Sequence, residues 1–285
     1  MMNQIIAISN FFVQQNQFLG WLSQYHTVVL DIFFIAVTFL GSEYFYMLLV
    51  PFLFGYIDRK NACVIVSVIL ISLILNTIVK VIFSLPRPPE SLMVPLYSGF
   101  AEGYGFPSGH AQGSLTLWGL IAIRSRNRIW VTASCIAIVL MISFSRLYLG
   151  VHYPIDIIGG WGFAVIVLLI YLCFEKFKLY IPYWILCILF LIFSLTFPIY
   201  RIEKTCAVLA GIYFGMFLGK KFDLAGFSNF NPAFRISGLI LTSAALFFIH
   251  KISGFPYAVS YTVIGSWISF FYPAVIVLIA DKYKI

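Results

Sequence analysis

The chain has 285 residues, of which 62% are hydrophobic and only 10% charged, with a formal net charge of +8. An ordinary soluble domain carries roughly 25% charged residues, so a soluble enzyme, a disordered chain and a disulfide scaffold are excluded. What remains is an all-α polytopic membrane protein, whose excess Lys and Arg marks cytoplasmic loops rather than a nucleic-acid surface.

In chain order, residues 1–23 open with Ile5, Ile6, Phe11, Phe12, Phe18 and Trp21 around Gln14, Gln15 and Gln17. This segment reads as amphipathic, either lying along the interface or extending the first span. No Lys or Arg precedes Arg59, so a cleavable signal peptide is not expected. Ten apolar segments follow, at 24–40, 43–57, 61–83, 109–124, 129–146, 153–175, 179–199, 203–219, 234–250 and 257–280. Ten spans would put twelve basic residues on the side of both termini and six on the other, which places the termini in the cytoplasm. The remaining face, in the periplasm, exterior or an organelle lumen, holds the long turn-rich loop 84–108. Cys63, Cys135, Cys173, Cys187 and Cys206 all fall in apolar runs and read as small buried hydrophobes.

Charges are scarce, so their positions inform. Three stretches meet at that second face: Lys80 to Arg87-Pro88, Pro107-Ser108-Gly109-His110, and Ser145-Arg146 to His152 and Asp156. Lys80, Arg87 and Arg146 can neutralise a doubly charged oxyanion, and the planar fork of Arg suits phosphate. Ser108 and Gly109 lie at a helix start, where backbone N–H groups and the dipole favour anions. His152 and Asp156 are four apart and share a helix face; the carboxylate can hold one imidazole nitrogen and leave the other as a nucleophile. His110 can protonate a leaving oxygen. An anion cradle, an oriented nucleophile and an acid describe phosphoryl transfer.

The other polar residues keep two readings each. Glu43 is either a cap on a helix dipole or a headgroup contact. Asp31, inside an apolar run, requires a partner, structural or functional. Glu90 and Glu102 are either solvated loop carboxylates or groups that repel extra anionic headgroup charge. Tyr104, Tyr148 and Tyr153 line an entrance or belong to an aromatic belt. His26 and His250 have no motif and read as interfacial. The His and carboxylate spacings do not follow metal-ligand patterns, and neither metal nor cofactor is expected.

The three stretches, Lys80-x6-Arg87-Pro88, Pro107-Ser108-Gly109-His110 and Ser145-Arg146-x5-His152-x3-Asp156, fill every position of the tripartite signature of the type 2 phosphatidic acid phosphatase superfamily. The resemblance implies a metal-independent lipid phosphatase with His152 as nucleophile, Asp156 orienting it and His110 as acid. It also implies a phosphate site of Lys80, Arg87, Ser108, Gly109 and Arg146, a phosphohistidine intermediate that water hydrolyses, and a six-span core over 24–175. Residues 176–285, with about four more transmembrane helices, resemble the sphingosine-phosphate phosphatase branch. A lipid phosphate in the membrane is the expected partner; oligomeric state stays open. The competing readings are a lipid phosphotransferase using the same intermediate and a non-catalytic lipid carrier.

Overall fold

A computed structural model of the chain describes residues 2–94, 97, 103–125, 128–197, 199–220, 222, 224–253 and 255–283. Every regular element among them is helical. Each of the ten apolar segments contains a helix, but length and composition separate them. Among the described residues, five helical stretches are long and apolar enough to cross a bilayer: Arg59–Phe83, Ile129–Tyr148, Pro154–Lys176, Pro232–Ile252 and Tyr257–Ala280. A sixth is possible if Phe12–Ser23 and Val28–Phe39, bent by 120° at their junction, count as one broken span. The ten-span expectation fails on geometry elsewhere. Glu43–Tyr56, Gly109–Arg124 and Tyr183–Thr196 have 14, 16 and 14 residues, or about 21–24 Å at 1.5 Å per residue, short of a hydrocarbon core of roughly 30 Å. Tyr200–Leu218 has 19 residues but opens on Arg201, Glu203 and Lys204. The protein is a multi-pass integral membrane protein. Large side chains such as Ile82, Trp130 and Leu195 lie exposed on its helices, which lipid tolerates and water would not.

The chain forms two compact units, one of residues 1–45 and 75–171, the other of 46–74 and 172–285. The first contains α1 (Met2–Ser23), α2 (Val28–Phe39), the start of α3 (Glu43–Tyr56), the last turns of α4 (Arg59–Phe83), a 3-10 turn at Glu90–Leu92, α5 (Gly109–Arg124), α6 (Ile129–Tyr148) and most of α7 (Pro154–Lys176). Thr27 caps α2 by accepting from Leu30 N at 3.4 Å, and Ser108 caps α5 by accepting from Ala111 N at 3.5 Å. Leu22, Met93, Val94, Tyr148, Leu149 and Val151 form a buried cluster where α1, the long loop and the end of α6 meet.

The second unit holds most of α3, the first half of α4, α8 (Tyr183–Thr196), α9 (Tyr200–Leu218), α10 (Pro232–Ser253), α11 (Tyr257–Ser266) and α12 (Tyr272–Tyr283), with a π turn at Trp267–Phe271 joining the last two. Small residues bring α9 and α11 backbone to backbone. A Cβ on Gly211 would strike Thr262 O, and one on Gly265 would strike Val208 O. Close approach of this kind is what small-x3-small spacing provides in a membrane, where no hydrophobic force draws helices together. Arg59 Nε donates to Ser269 O in the π turn at 2.9 Å, and Tyr213 OH donates to Ser67 Oγ at 2.8 Å. Phe54, Ala62, Cys63, Val66, Leu209 and Ile212 are among the buried residues of this core.

Candidate active site

The site lies within the first unit, around the five-residue connection between α6 and α7. That connection is fixed by backbone. Gly150 has φ of 70°, and a Cβ there would meet Leu92 O and the Cα of Met93, so only glycine fits. Val94 N donates to Leu149 O at 3.2 Å, tying the long loop to the turn. His152 follows and is buried, with 2% of its surface exposed.

Asp156, in the first turn of α7, has two tasks for one oxygen. Its Oδ2 accepts from Tyr153 N at 2.9 Å, capping the helix in the manner of a capping box, and lies 3.1 Å from His152 Nδ1. Arg87 Nη1 lies 3.2 Å from His152 Nε2. A guanidinium cannot accept, so Nε2 is the acceptor and the imidazole proton sits on Nδ1, towards Asp156. The ring is thus held neutral with its outward lone pair on Nε2. Burial pushes the His152 pKa well below the ordinary histidine range, and the positive charges of Arg87, Arg146, Lys80 and His110, in that order, push it further.

The cations are placed by carbonyls and hydroxyls. Lys80, in the last turn of α4, donates to Tyr104 O at 2.6 Å and Gly105 O at 3.0 Å. Arg87 Nε donates to Gly103 O at 3.0 Å, and its Nη1 to Val151 O at 2.9 Å. Arg146, 2% exposed, spends Nη1 on Thr38 Oγ1 at 2.7 Å and Tyr97 OH at 2.9 Å, with its guanidinium 5.2 Å from the Tyr97 ring centre. Its Nε is buried with no hydrogen-bond partner among the described residues, a donor that an anion would satisfy.

Ser108 joins the pair directly: its N–H donates to Asp156 O at 2.9 Å. The N-terminus of α5 therefore abuts the first turn of α7. Gly109 is not merely permissive, since a Cβ there would lie 3.1 Å from Asn76 Oδ1. Asn76 in turn donates to Pro107 O at 3.3 Å and to Gln112 Oε1 at 2.8 Å. His110 packs against the turn that follows α2: a Cβ on Gly41 would sit 3.0 Å from its Cδ2. Lys80, Arg87, Ser108, Arg146, His152 and Asp156, drawn from sequence spacing, are thus all tied to one turn or act on its charge.

The structure also places the ambiguous residues. Asp31 accepts from Tyr148 OH at 2.8 Å, and His26 Nε2 lies 2.8 Å from Tyr148 O. Tyr148 and Tyr153 are 2% and 4% exposed; they are internal struts, not an aromatic belt or an entrance lining. Tyr104 is exposed. Glu43 is exposed in the first turn of α3 behind Ser42, which accepts from Phe45 N at 3.3 Å. Glu90 is exposed in the 3-10 turn, and Glu102 lies outside the described residues. Thr38, Asn76 and Tyr97 are site neighbours that motif spacing does not reach. An amide deep inside the apolar run 61–83, well away from its polar end at Asn61, is the one signal that would have found Asn76.

Comparison with known proteins bears on the same stretch. The PAP2 superfamily pattern matches residues 61–180, which carry all three motif stretches. The matched stretch, under half of the chain, is similar to the PAP2 superfamily. Within PAP2 relatives, an undecaprenyl-diphosphatase of Bacillus subtilis is 28% identical over 145 residues, 50% of this chain and 74% of the relative. Sphingosine-1-phosphate phosphatase 2 of Mus musculus is 29% identical over 126 residues, 42% of this chain and 36% of that protein; the chain aligns with about a third of its length. The crystal structure of a transmembrane PAP2-type phosphatidylglycerolphosphate phosphatase from Bacillus subtilis superposes with a TM-score of 0.53 at 20% identity, covering 59% of this chain and 87% of that one. That likeness shows the PAP2 fold.

Proposed function

We propose that this protein is an integral-membrane lipid phosphatase that removes a terminal phosphate, as monoester or diphosphate, through a phosphohistidine on His152. The observation that carries the reading is the state of that ring: buried, its Nδ1 proton turned to Asp156, its Nε2 lone pair directed to the Arg87 guanidinium. A phosphate entering this site takes over the cations, and Nε2 is left to attack phosphorus. The bond from phosphorus to the lipid oxygen breaks as the Nε2–phosphorus bond forms, and His110 gives its proton to the departing oxygen. Water then attacks the phosphohistidine, returning its proton to His110 and releasing inorganic phosphate. Lys80, Arg87 and Arg146, with the start of α5 at Ser108 and Gly109, hold the charge that builds on the phosphoryl oxygens. Cationic side chains rather than clustered carboxylates do this work, which fits chemistry without a metal.

The names of the relatives include both monoester and diphosphate lipids, and all present the same group to these residues. The motif residues all fall in 24–175; the extension 176–285 supplies none of them.

The test is phosphate release in detergent with EDTA present, from a panel of phosphatidate, phosphatidylglycerophosphate, sphingoid-base phosphate and undecaprenyl diphosphate. Wild type should release phosphate, be blocked by vanadate, and lose at least about 10³-fold in rate on His152→Ala. Equal release by both proteins would remove His152 from the role of nucleophile. Turnover only on addition of a second alcohol would convert the enzyme into a phosphotransferase.

A further inference from the structure

Helix α1 precedes the stretch matched by the superfamily pattern, which begins at residue 61, and nothing in its sequence resembles a catalytic motif. Yet it reaches Tyr153 and Ile155, the first and third residues after His152. Helix α7 opens at Pro154, which has no N–H, so Ile155 supplies the first backbone donor that the helix itself leaves unanswered. Its acceptor is Gln15 Oε1, at 3.1 Å and 140 positions away in sequence. One residue on, Asn16 Oδ1 accepts from Tyr153 OH at 3.0 Å, and the Phe12 ring stands edge-on to Tyr153 with centroids 5.3 Å apart.

Phe12, Gln15, Asn16 and Leu19 recur at helical spacing on one face of α1, and that face turns inward. Gln14 and Gln17 are exposed whereas Gln15 is 8% exposed. A buried amide is costly unless its bond is specific, and this one terminates on the helix that carries Asp156. The Nε2 of Gln15 has no partner among the described residues, so the bond to Ile155 is the polar contact that the side chain contributes.

We propose that Gln15 and Asn16 are positioning residues: α1 clamps Tyr153 and the first turn of α7, and so sets the angle at which Asp156 presents His152 to phosphorus. The proposal rests on the reading of His152 as nucleophile. It makes the amphipathic N-terminal helix a working part of the site, which spacing from the motifs gives no hint of.

The experiment uses the full chain in detergent and two readouts. The first is kcat and KM for phosphate release from the lipid phosphate that wild type cleaves best. The second is amide hydrogen exchange in the peptide containing Ile155. Gln15→Met keeps the bulk and removes the acceptor; Gln15→Glu keeps the acceptor. Gln15→Met should lower kcat by about tenfold or more with KM within about twofold, because misplacement of a reacting group acts on the chemical step. Exchange at Ile155 should quicken in the same variant. Gln15→Glu should bring kcat back to within about threefold of wild type and restore slow exchange. Wild-type kcat in Gln15→Met, or a Gln15→Glu no better than Gln15→Met, would overturn the proposal. Should Gln15→Met fail to fold, Asn16→Leu against Asn16→Asp poses the same contrast through Tyr153. His152→Ala run alongside separates the two failures. Full activity in His152→Ala sinks the nucleophile, while unchanged exchange in Gln15→Met with His152→Ala inactive sinks the clamp alone.

Discussion

The depressed pKa of His152 has a direct consequence for pH dependence. Burial and the neighbouring cations favour the neutral ring. In the proposed mechanism attack requires that neutral form, so activity should be present above the folded-state pKa and be lost as pH falls through it. The acid limb of kcat/KM should therefore lie below the usual histidine range. Arg87→Gln removes the largest of the charge contributions, so it should lower kcat/KM by roughly 10²-fold and move the acid limb upward. An acid limb that stays put in Arg87→Gln would show that another group sets it. Single residues were also where the sequence spoke most clearly. In a chain with so few charges, Lys80, Arg87, Arg146, His152 and Asp156 stand out, and because each lies beside a helix end their spacing supports the proposed chemistry. Thr38 and Tyr97 do not stand out. They reach Arg146 across 108 and 49 positions, through contacts that exist only once the helices have met, and a threonine in an apolar run costs too little to betray a role.

At the scale of elements, the turn between α6 and α7 is the part least able to vary. Gly150→Ala combines a left-handed backbone with a collision against the Leu92 carbonyl. The backbone conformation alone costs about 1–2 kcal/mol. The variant should show a lower Tm in detergent and a larger loss in kcat than in substrate affinity, since His152 sits two residues on; unaltered stability would mean that the long loop yields instead. The existence of the helices was legible from apolar runs, because 3.6-residue periodicity and length are local properties. Their status as spans was not. Hydropathy averages over a window, and it does not register that α3, α5 and α8 stop after 14, 16 and 14 residues. Nor did it register that α1 and α2 meet at 120°, a corner held by Tyr148 through Asp31 and His26.

For the whole molecule, the superfamily stretch and the compact units do not coincide. Residues 61–180 begin inside the second unit, pass through the site and end in the second unit again. A chain ending at residue 180 would keep every motif residue and strip Ala62, Cys63 and Val66 of Leu209 and Ile212, with which they form one core. Such a chain should be markedly less heat-stable and less monodisperse in detergent than the full protein; equal behaviour would show that the first half of α4 needs no such cover. The same arrangement sets a problem during synthesis. Ser67 emerges from the ribosome 146 residues before Tyr213, its hydrogen-bond partner, and at about 5–20 residues per second that is a wait of roughly seven to thirty seconds in lipid. The Ser67 hydroxyl bridges the interval on its own helix, donating back to Cys63 O at 2.6 Å, so the nascent segment can dwell in the bilayer with its polar group already satisfied and its acceptor lone pairs waiting for the tyrosine.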